Sequence, residues 1–223
     1  MFGAWQAGAW RAWEAYIKPD LIVGASIGSL NGYAIASGWS AQELCEWWLR
    51  PQITGFGNLT RVAQGLVDTR PREKEFAVVI VDAVRMKPRT VSGDHVRAEH
   101  LVASCAVPGA VLPQKINGRW YVDGGLLNPL PVWAAVELGA DRIFALHCLP
   151  QMPSAVLRPA VAAFRAVWGH NPPVPASVRV TTLMPSRRLG TLQDAIRWHE
   201  DRIKEWVDLG AADAARCLKE QGL

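Results

Sequence analysis

The placement of Ser26 limits the fold of this chain more than any other feature of the sequence. Ser26 lies in the run Gly24-Ala25-Ser26-Ile27-Gly28, after the short β-branched stretch 21–23 and before the helically spaced residues 27–36. A serine held on a sharp turn between a strand and a helix presents its hydroxyl above the edge of a sheet. The sequence therefore predicts that Ser26 is a nucleophile. The alternative is a Gly- and Ser-rich turn that binds a phosphate or only reverses the chain.

The neighbours of Ser26 are the residues that such a turn requires. The backbone at the tip is strained. Positions 24 and 28 are therefore expected to require a small residue, here Gly24 and Gly28, so that the chain can pass. The positive end of the helix that follows points at the turn. The N–H of Ile27 is then expected to donate a hydrogen bond to an oxyanion that develops beside Ser26.

The rest of the chain alternates between short apolar runs and helical spacing. Residues 76–81 are continuously apolar, which predicts a strand covered on both faces, and residues 142–146 and 178–183 predict two more strands. Asn117-Gly118, inside 115–122, is the strongest short hairpin signal. Helices are expected over 4–17, 40–49, 95–106, 132–138, 155–168 and, whole or broken, 191–218, with a loop at 53–58. The alternation predicts an α/β fold with a mainly parallel central sheet flanked by helices, in one domain over 1–223.

Composition excludes several classes of protein. Half of the 223 residues are apolar and a fifth are charged, so the chain is not intrinsically disordered. Its four cysteines form no CxxC pair, which argues against a zinc site and a disulfide scaffold. The net charge of +4 comes from scattered residues without a basic run, so no nucleic acid partner is expected. No apolar run reaches ~20 residues and no signal segment opens the chain, so we expect a cytoplasmic protein without a membrane span, although an upstream targeting segment would escape this reasoning.

Tryptophan is unusually frequent, with 11 residues against 8 Phe and Tyr together. Trp favours boundaries between apolar and polar surroundings, including the headgroup region of membranes. The interpretation that we favour is packing in the core, and contact with a lipid surface is the alternative.

A second motif supports the catalytic interpretation of the first. Asp123 follows the predicted hairpin within Val122-Asp123-Gly124-Gly125, so two glycines hold it on a tight turn. Before it comes the run Ala103-Ser104-Cys105-Ala106-Val107-Pro108-Gly109. Together with the run of residues 24–32, Gly-Ala-Ser-Ile-Gly-Ser-Leu-Asn-Gly, these motifs resemble the patatin-like phospholipase family closely, with specific motifs from Gly3 to about residue 150.

The resemblance implies a three-layer fold and a serine lipid acyl hydrolase that acts on acyl esters of phospholipids or related lipids. Ser26 is then the nucleophile and Asp123 the general base of a dyad without histidine, which works through an acyl-enzyme. Gly24, Gly28, Gly124 and Gly125 shape the two turns. The resemblance implies no metal and no cofactor, and it implies a lipid substrate with transient contact to a membrane surface.

The start of the chain departs from the family pattern. Relatives carry a Gly-rich GGGxxG oxyanion loop after a first strand, and Gly3 matches its last glycine while the leading glycines and the strand are absent. We therefore expect an N-terminally truncated domain, whose upstream codons encode a short apolar strand and Gly-Gly-Gly. The oxyanion hole is expected to use the N–H groups of Ile27 and Gly3.

Two other functions remain open on the sequence alone. His147 follows a predicted strand and stands after Ser26 and Asp123, which is the Ser…Asp…His order of α/β-hydrolases. The chain is then a Ser–His–Asp esterase. The other function is that of a patatin-like domain that folds or binds lipid without turnover. We expect no catalytic role for a further set of residues: His170, His199, Asp82, Asp94 and Cys105.

Overall fold

The computed structural model describes residues 1–51, 58–150 and 158–222. The described residues contain seven strands: β1 Leu21–Ala25, β2 Glu75–Asp82, β3 Lys87–Ser92, β4 Gln114–Ile116, β5 Arg119–Asp123, β6 Arg142–Leu146 and β7 Arg179–Leu183. They also contain nine α-helices: α1 Gly3–Trp13, α2 Ile27–Ala36, α3 Ala41–Leu49, α4 Leu59–Thr69, α5 Ala98–Ser104, α6 Val132–Glu137, α7 Arg158–Trp168, α8 Leu192–Ile196 and α9 Glu200–Glu220. The chain is thus an α/β fold with sheets flanked by helices, as the sequence predicts.

Strand β2 is the centre of the larger, five-stranded sheet. Seven of its eight residues are buried, which is the reason that it reads as a continuous apolar run. One edge of β2 pairs with β3 along 77–82. The other edge pairs first with β1, along 75–79, and then with β5, along 80–82.

Because β1 and β5 share one edge of β2, their carboxyl ends meet there. Strand β1 runs parallel to β2 and ends with Ala25 opposite Val79. Strand β5 runs antiparallel and ends with Asp123 opposite Ile80, the next residue of β2. The residue after Ala25 is Ser26, so the sheet register brings Ser26 and Asp123 together.

The strand directions differ from the mainly parallel sheet that we predicted. In the five-stranded sheet only β1 and β2 are parallel, and the three other pairings are antiparallel. The β4–β5 hairpin was predicted, and Asn117 and Gly118 turn it with φ angles of 49° and 79°. The β2–β3 hairpin was not predicted, because its turn carries no Asn-Gly or Asp-Gly pair. Oδ1 of Asp82 holds that turn by accepting hydrogen bonds from the N–H groups of Val84 and Arg85.

Strands β6 and β7 form a separate parallel pair. Helix α6 contacts both β1 of the larger sheet and β6 of the smaller one. The side chain of Gln6 in α1 also reaches the smaller sheet, because its Nε2 donates to the carbonyl of Leu146 over 3.1 Å. Helices α6 and α1 therefore connect the two sheets.

The tryptophans lie mostly in the core. Trp5, Trp13, Trp48 and Trp206 are among the largest fully buried side chains. Nε1 of Trp5 donates to Asp213 and Nε1 of Trp13 to the carbonyl of Ala214, which fixes α1 against α9. Packing in the core, the interpretation that we favoured, is confirmed for these residues.

The remaining helix predictions differ at a few places. Helix α4 was missed, although its buried residues Leu59, Val62, Ala63 and Leu66 have helical spacing. A capping box of Ser40 and Glu43 opens the predicted helix α3, and the long C-terminal helix is broken into α8 and α9. Residues 53–57 of the predicted loop and 155–157 of a predicted helix lie outside the described residues.

Candidate active site

Ser26 stands on a strained turn between β1 and α2. Its φ and ψ angles are 52° and −133°, a region that residues with a Cβ rarely adopt. Gly24 allows this turn, since a Cβ there would lie 2.5 Å from Cα of Ser29 and 2.6 Å from the carbonyl oxygen of Gly28. The expectation for Gly28 was wrong: a Cβ there would meet only the Gln6 side chain, at the ordinary distance of 3.6 Å.

Hydrogen bonds hold the backbone of Ser26 on both sides. Its carbonyl accepts from the N–H and from Oγ of Ser29, at 2.8 and 2.6 Å. Its N–H donates to Oγ of Ser104 in α5, at 2.9 Å. The residue is half-buried, and its backbone is fixed by its neighbours.

Asp123 ends β5 in a buried position next to Ser26. Its N–H donates to the carbonyl of Ala106 over 3.0 Å, and the N–H of Gly124 donates to the carbonyl of Ser104 over 3.2 Å. A Cβ on Gly124 would lie 1.9 Å from the carbonyl oxygen of Val79, so only glycine fits between the Asp123 turn and β2. The predicted Gly-Gly turn thus brings the carboxyl group tightly against the central strand.

The two carboxyl oxygens of Asp123 have different surroundings. Oδ1 accepts a hydrogen bond from the N–H of Gly125 over 2.7 Å. Oδ2 is buried and has no hydrogen-bond partner among the described residues. Burial raises the pKa of Asp123 to about 6, against the smaller opposing effects of the Ser26 hydroxyl, the Gly125 N–H and the charge of Arg165. A carboxyl group with this pKa is a far better base for a hydroxyl than an ordinary aspartate.

Arg165 is a residue of the site that the sequence analysis did not find. It extends from α7, and its Nε and Nη2 donate to the carbonyls of Leu126 and Gly125, both over 3.1 Å. Its positive charge opposes the burial effect on the pKa of Asp123. No motif marks it, because it lies 40 residues from the turn that it holds.

Ile27 and Gly3 are the first residues of α2 and α1, and they lie side by side. A Cβ on Gly3 would lie 2.6 Å from Cγ1 of Ile27, and it would also clash with the ring of Trp48. Nδ2 of Asn31 donates to the carbonyl of Gly3 over 2.9 Å and so ties the two helices together. The first N–H groups of a helix have no partner within it, and the positive ends of two helices meet at this corner.

His147 lies just after β6, where its N–H donates to the carbonyl of Leu183 over 2.9 Å. Its Nε2 is buried and has no partner among the described residues. Burial, with a further contribution from the charge of Arg165, lowers its pKa. Within the described part of the chain His147 forms no hydrogen bond with Ser26 or Asp123, so nothing in the geometry favours the Ser–His–Asp alternative.

The residues for which we expect no catalytic role make packing and charge contacts with their neighbours. Burial raises the pKa of the Cys105 thiol well above its usual range, which keeps it protonated. The ring of His170 packs edge-on against Trp133, with 4.6 Å between the ring centroids, and Asp94 is paired with Arg72.

Over residues 1–51, 58–150 and 158–222, no group of three acidic, His or Cys side chains is placed to hold a metal ion. None of the helices described has the length and apolarity of a membrane span.

Comparisons with known proteins show the family and the fold of this chain. The family model for patatin-like phospholipases matches residues 1–84 and 60–136, which together span 1–136 of the 223 residues. Uncharacterized NTE family proteins of Mycobacterium tuberculosis and Mycobacterium bovis are 41% identical over 44 residues, which is 20% of this chain and 12% of each relative. The crystal structure of VipD from Legionella pneumophila has the same fold, with a TM-score of 0.60 and 12% identity over 98% of this chain and 65% of VipD.

Proposed function

The chain belongs to the patatin-like phospholipase family, and from this premise we propose that it hydrolyses acyl esters of phospholipids or related lipids through a Ser26–Asp123 dyad. The observation that carries this proposal is the meeting of the two residues at one edge of β2, with Oδ2 of Asp123 unpartnered among the described residues. A hydroxyl beside a buried carboxyl group whose pKa is about 6 is an activated nucleophile at neutral pH.

The proposed reaction proceeds in two steps. Oγ of Ser26 attacks the carbonyl carbon of the ester, and its proton moves to Oδ2 of Asp123. The tetrahedral intermediate collapses, the ester C–O bond breaks, and Asp123 returns the proton to the leaving alcohol. Water then attacks the acyl-enzyme and gives its proton to Asp123, which passes it to Oγ of Ser26 as the fatty acid leaves.

The oxyanion of both intermediates is expected to bind the N–H groups of Ile27 and Gly3. Both residues begin helices, and their close contact places two helix N-termini at one corner of the site. Donors that are fixed before the reaction stabilise the developing charge without reorganisation, and each contributes about 2.7–4 kcal/mol in known cases.

Helix α7 supports a lipid surface as the source of the substrate. It has no buried residue and no acidic residue, and apart from Arg158 and Arg165 all of its side chains are apolar. Val167 is 73% and Trp168 is 49% exposed, while Arg165 ties the same helix to the Asp123 turn. An exposed apolar helix with basic residues and a terminal Trp is typical of segments that lie in the interface of anionic membranes.

The test of the proposed chemistry is labelling followed by turnover. We expect a fluorophosphonate probe to modify the protein at one site, which peptide mapping places at Ser26, and we expect hydrolysis of short-chain nitrophenyl esters and release of fatty acid from phospholipid vesicles. Ser26→Ala should abolish all three activities while leaving the fold. Labelling that persists in Ser26→Ala would refute the assignment of Ser26 as the nucleophile. A folded parent protein that shows neither labelling nor turnover would support the non-catalytic alternative.

The contact with lipid is tested by co-sedimentation with vesicles. Replacing Val167 and Trp168 by Ser should lower binding to vesicles of anionic phospholipid by at least about fivefold, because apolar contact area is lost. The matched control is Tyr16→Ser, which removes a 60% exposed side chain beyond the far end of α1. The rate of hydrolysis of a soluble ester should stay within about twofold of the parent rate in both variants. Unchanged vesicle binding by the α7 variant would refute this role.

A further inference from the structure

Ser104, the last residue of α5, is buried completely and contacts three segments of the candidate site. Its Oγ donates to the carbonyl of Val79 in β2 over 2.7 Å and accepts from the N–H of Ser26 over 2.9 Å. Its own carbonyl accepts from the N–H of Gly124, directly after Asp123, over 3.2 Å. One residue thus joins the nucleophile, the turn of the base and β2, the strand that pairs with both β1 and β5.

The direction of these hydrogen bonds is determined by their partners. A carbonyl only accepts, so the single proton of the Ser104 hydroxyl points to Val79. The lone pairs of Oγ then face the N–H of Ser26. Ala25 is the last residue of β1 that pairs with β2, opposite Val79. The hydroxyl therefore continues the ladder between the strands by one step, at the point where the backbone of Ser26 turns away.

We propose that Ser104 is a positioning residue, which sets the orientation of the Ser26 backbone and the separation of Ser26 from Asp123. This role rests on the proposed function. Without the hydroxyl, the Ser26 N–H and the Val79 carbonyl both lose a buried partner. The strained turn at Ser26 then loses a contact that holds it. Misplacement of a reacting group by about 1 Å can lower a rate about 100-fold.

The experiment compares Ser104→Ala with Ser37→Ala, which removes the hydroxyl of another completely buried serine, one that follows α2. For Ser104→Ala we expect kcat on a soluble nitrophenyl ester to fall about 10- to 100-fold, with KM within about threefold of the parent. The rate constant of fluorophosphonate labelling should fall by a similar factor, while the labelled fraction still reaches completion. A merely structural role would instead lower the final labelled fraction. Ser37→Ala should label at the rate of the parent.

Ser104→Cys provides a second variant of similar volume, because a thiol is a weaker donor and acceptor than a hydroxyl. It should label at a rate between those of the parent and Ser104→Ala, and it carries the test alone if the alanine variant does not fold. Parent-like kcat and labelling rates in the folded Ser104 variants would overturn the positioning role while leaving the proposed function intact. A parent protein that is not labelled at Ser26 would overturn the proposed function, and the role of Ser104 with it.

Discussion

Oδ1 of Asp123 accepts a 2.7 Å hydrogen bond from the N–H of Gly125, which leaves Oδ2 as the oxygen without a partner among the described residues. This arrangement divides the carboxyl group into an anchored half and a half that is free to take a proton. Since burial raises its pKa to about 6, the group is mostly ionised at pH 7 and is still basic enough to accept the proton of Ser26.

The activity should depend on the ionised form of Asp123. The value of kcat/KM should therefore rise with pH, with a midpoint near 6, and level off above it. Asp123→Asn should lower kcat/KM about a thousandfold or more, because an amide cannot accept the proton. A pH series on a soluble nitrophenyl ester measures both effects.

His147 is the base of the alternative Ser–His–Asp mechanism, so the pH profile has to be repeated without it. Burial lowers the pKa of His147 from its usual 6.5. His147→Ala should keep the rising limb and should lower the rate less than about tenfold. Loss of the limb in this variant, together with a mild effect of Asp123→Asn, would establish the Ser–His–Asp mechanism instead.

Asp123 should also make the fold less stable at neutral pH than in acid. Its folded pKa of about 6 lies above the ordinary 3.8, so between pH 4 and pH 6 the folded protein binds more protons than the unfolded chain. The contribution of this group to stability therefore falls as pH rises through that window, by about 3 kcal/mol in total, and is constant above it.

Asp123→Asn isolates that contribution, because it removes the charge and keeps the shape. We expect the variant to be more stable than the parent at pH 8, and the difference to shrink as the pH falls toward 4. Urea unfolding of both proteins at pH 4.5, 6 and 8 provides the comparison. A difference that is independent of pH would show that the carboxyl group titrates normally.

The strain at Ser26 predicts an order of stability between two variants. Ser26→Ala keeps a Cβ at φ 52°, whereas Ser26→Gly relieves a backbone strain of about 1–3 kcal/mol. The greater freedom of glycine in the unfolded chain offsets about 0.5–1 kcal/mol of this gain. Ser26→Gly should therefore be about 1 kcal/mol more stable than Ser26→Ala in urea unfolding, and both should be inactive. The reverse order would mean that the turn is relaxed.

Gly24 and Gly28 each lie two residues from Ser26, but we expect their replacement by alanine to change the stability of the fold in opposite directions. At Gly24 the new Cβ would meet backbone atoms of Ser29 and Gly28 within 2.6 Å, which should destabilise the protein by about 3 kcal/mol. At Gly28 it would meet only the Gln6 side chain at 3.6 Å, within α2, where alanine is favoured over glycine by about 1 kcal/mol. Thermal unfolding of the two variants measures the contrast, which equal losses would contradict.

Much of the site was predictable because it depends on short stretches of chain. The strand, turn and helix around Ser26 follow from a β-branched run, a close approach at Gly24 and helical spacing. The hairpin before Asp123 follows from Asn117-Gly118, whose positive φ angles suit the turn. The pairing of Ser26 with Asp123 came from the resemblance of both motifs to a known family, and the register on β2 supplies its physical reason.

The turns at Ser26 and Asp123 and most of the strands and helices were determined by the sequence itself, since each depends on a few adjacent residues. Helix α4, the β2–β3 hairpin and the strand directions were not among them. The properties of the site required the tertiary structure. The raised pKa of Asp123 arises from burial among segments that no local pattern connects. Ser104 meets Ser26 across 78 residues, and Arg165 meets the Asp123 turn across 40. Burial and hydrogen bonds between distant segments exist only after the sheet has brought those segments together, and for that reason the positions of Ser104 and Arg165 could not be seen before the fold was known.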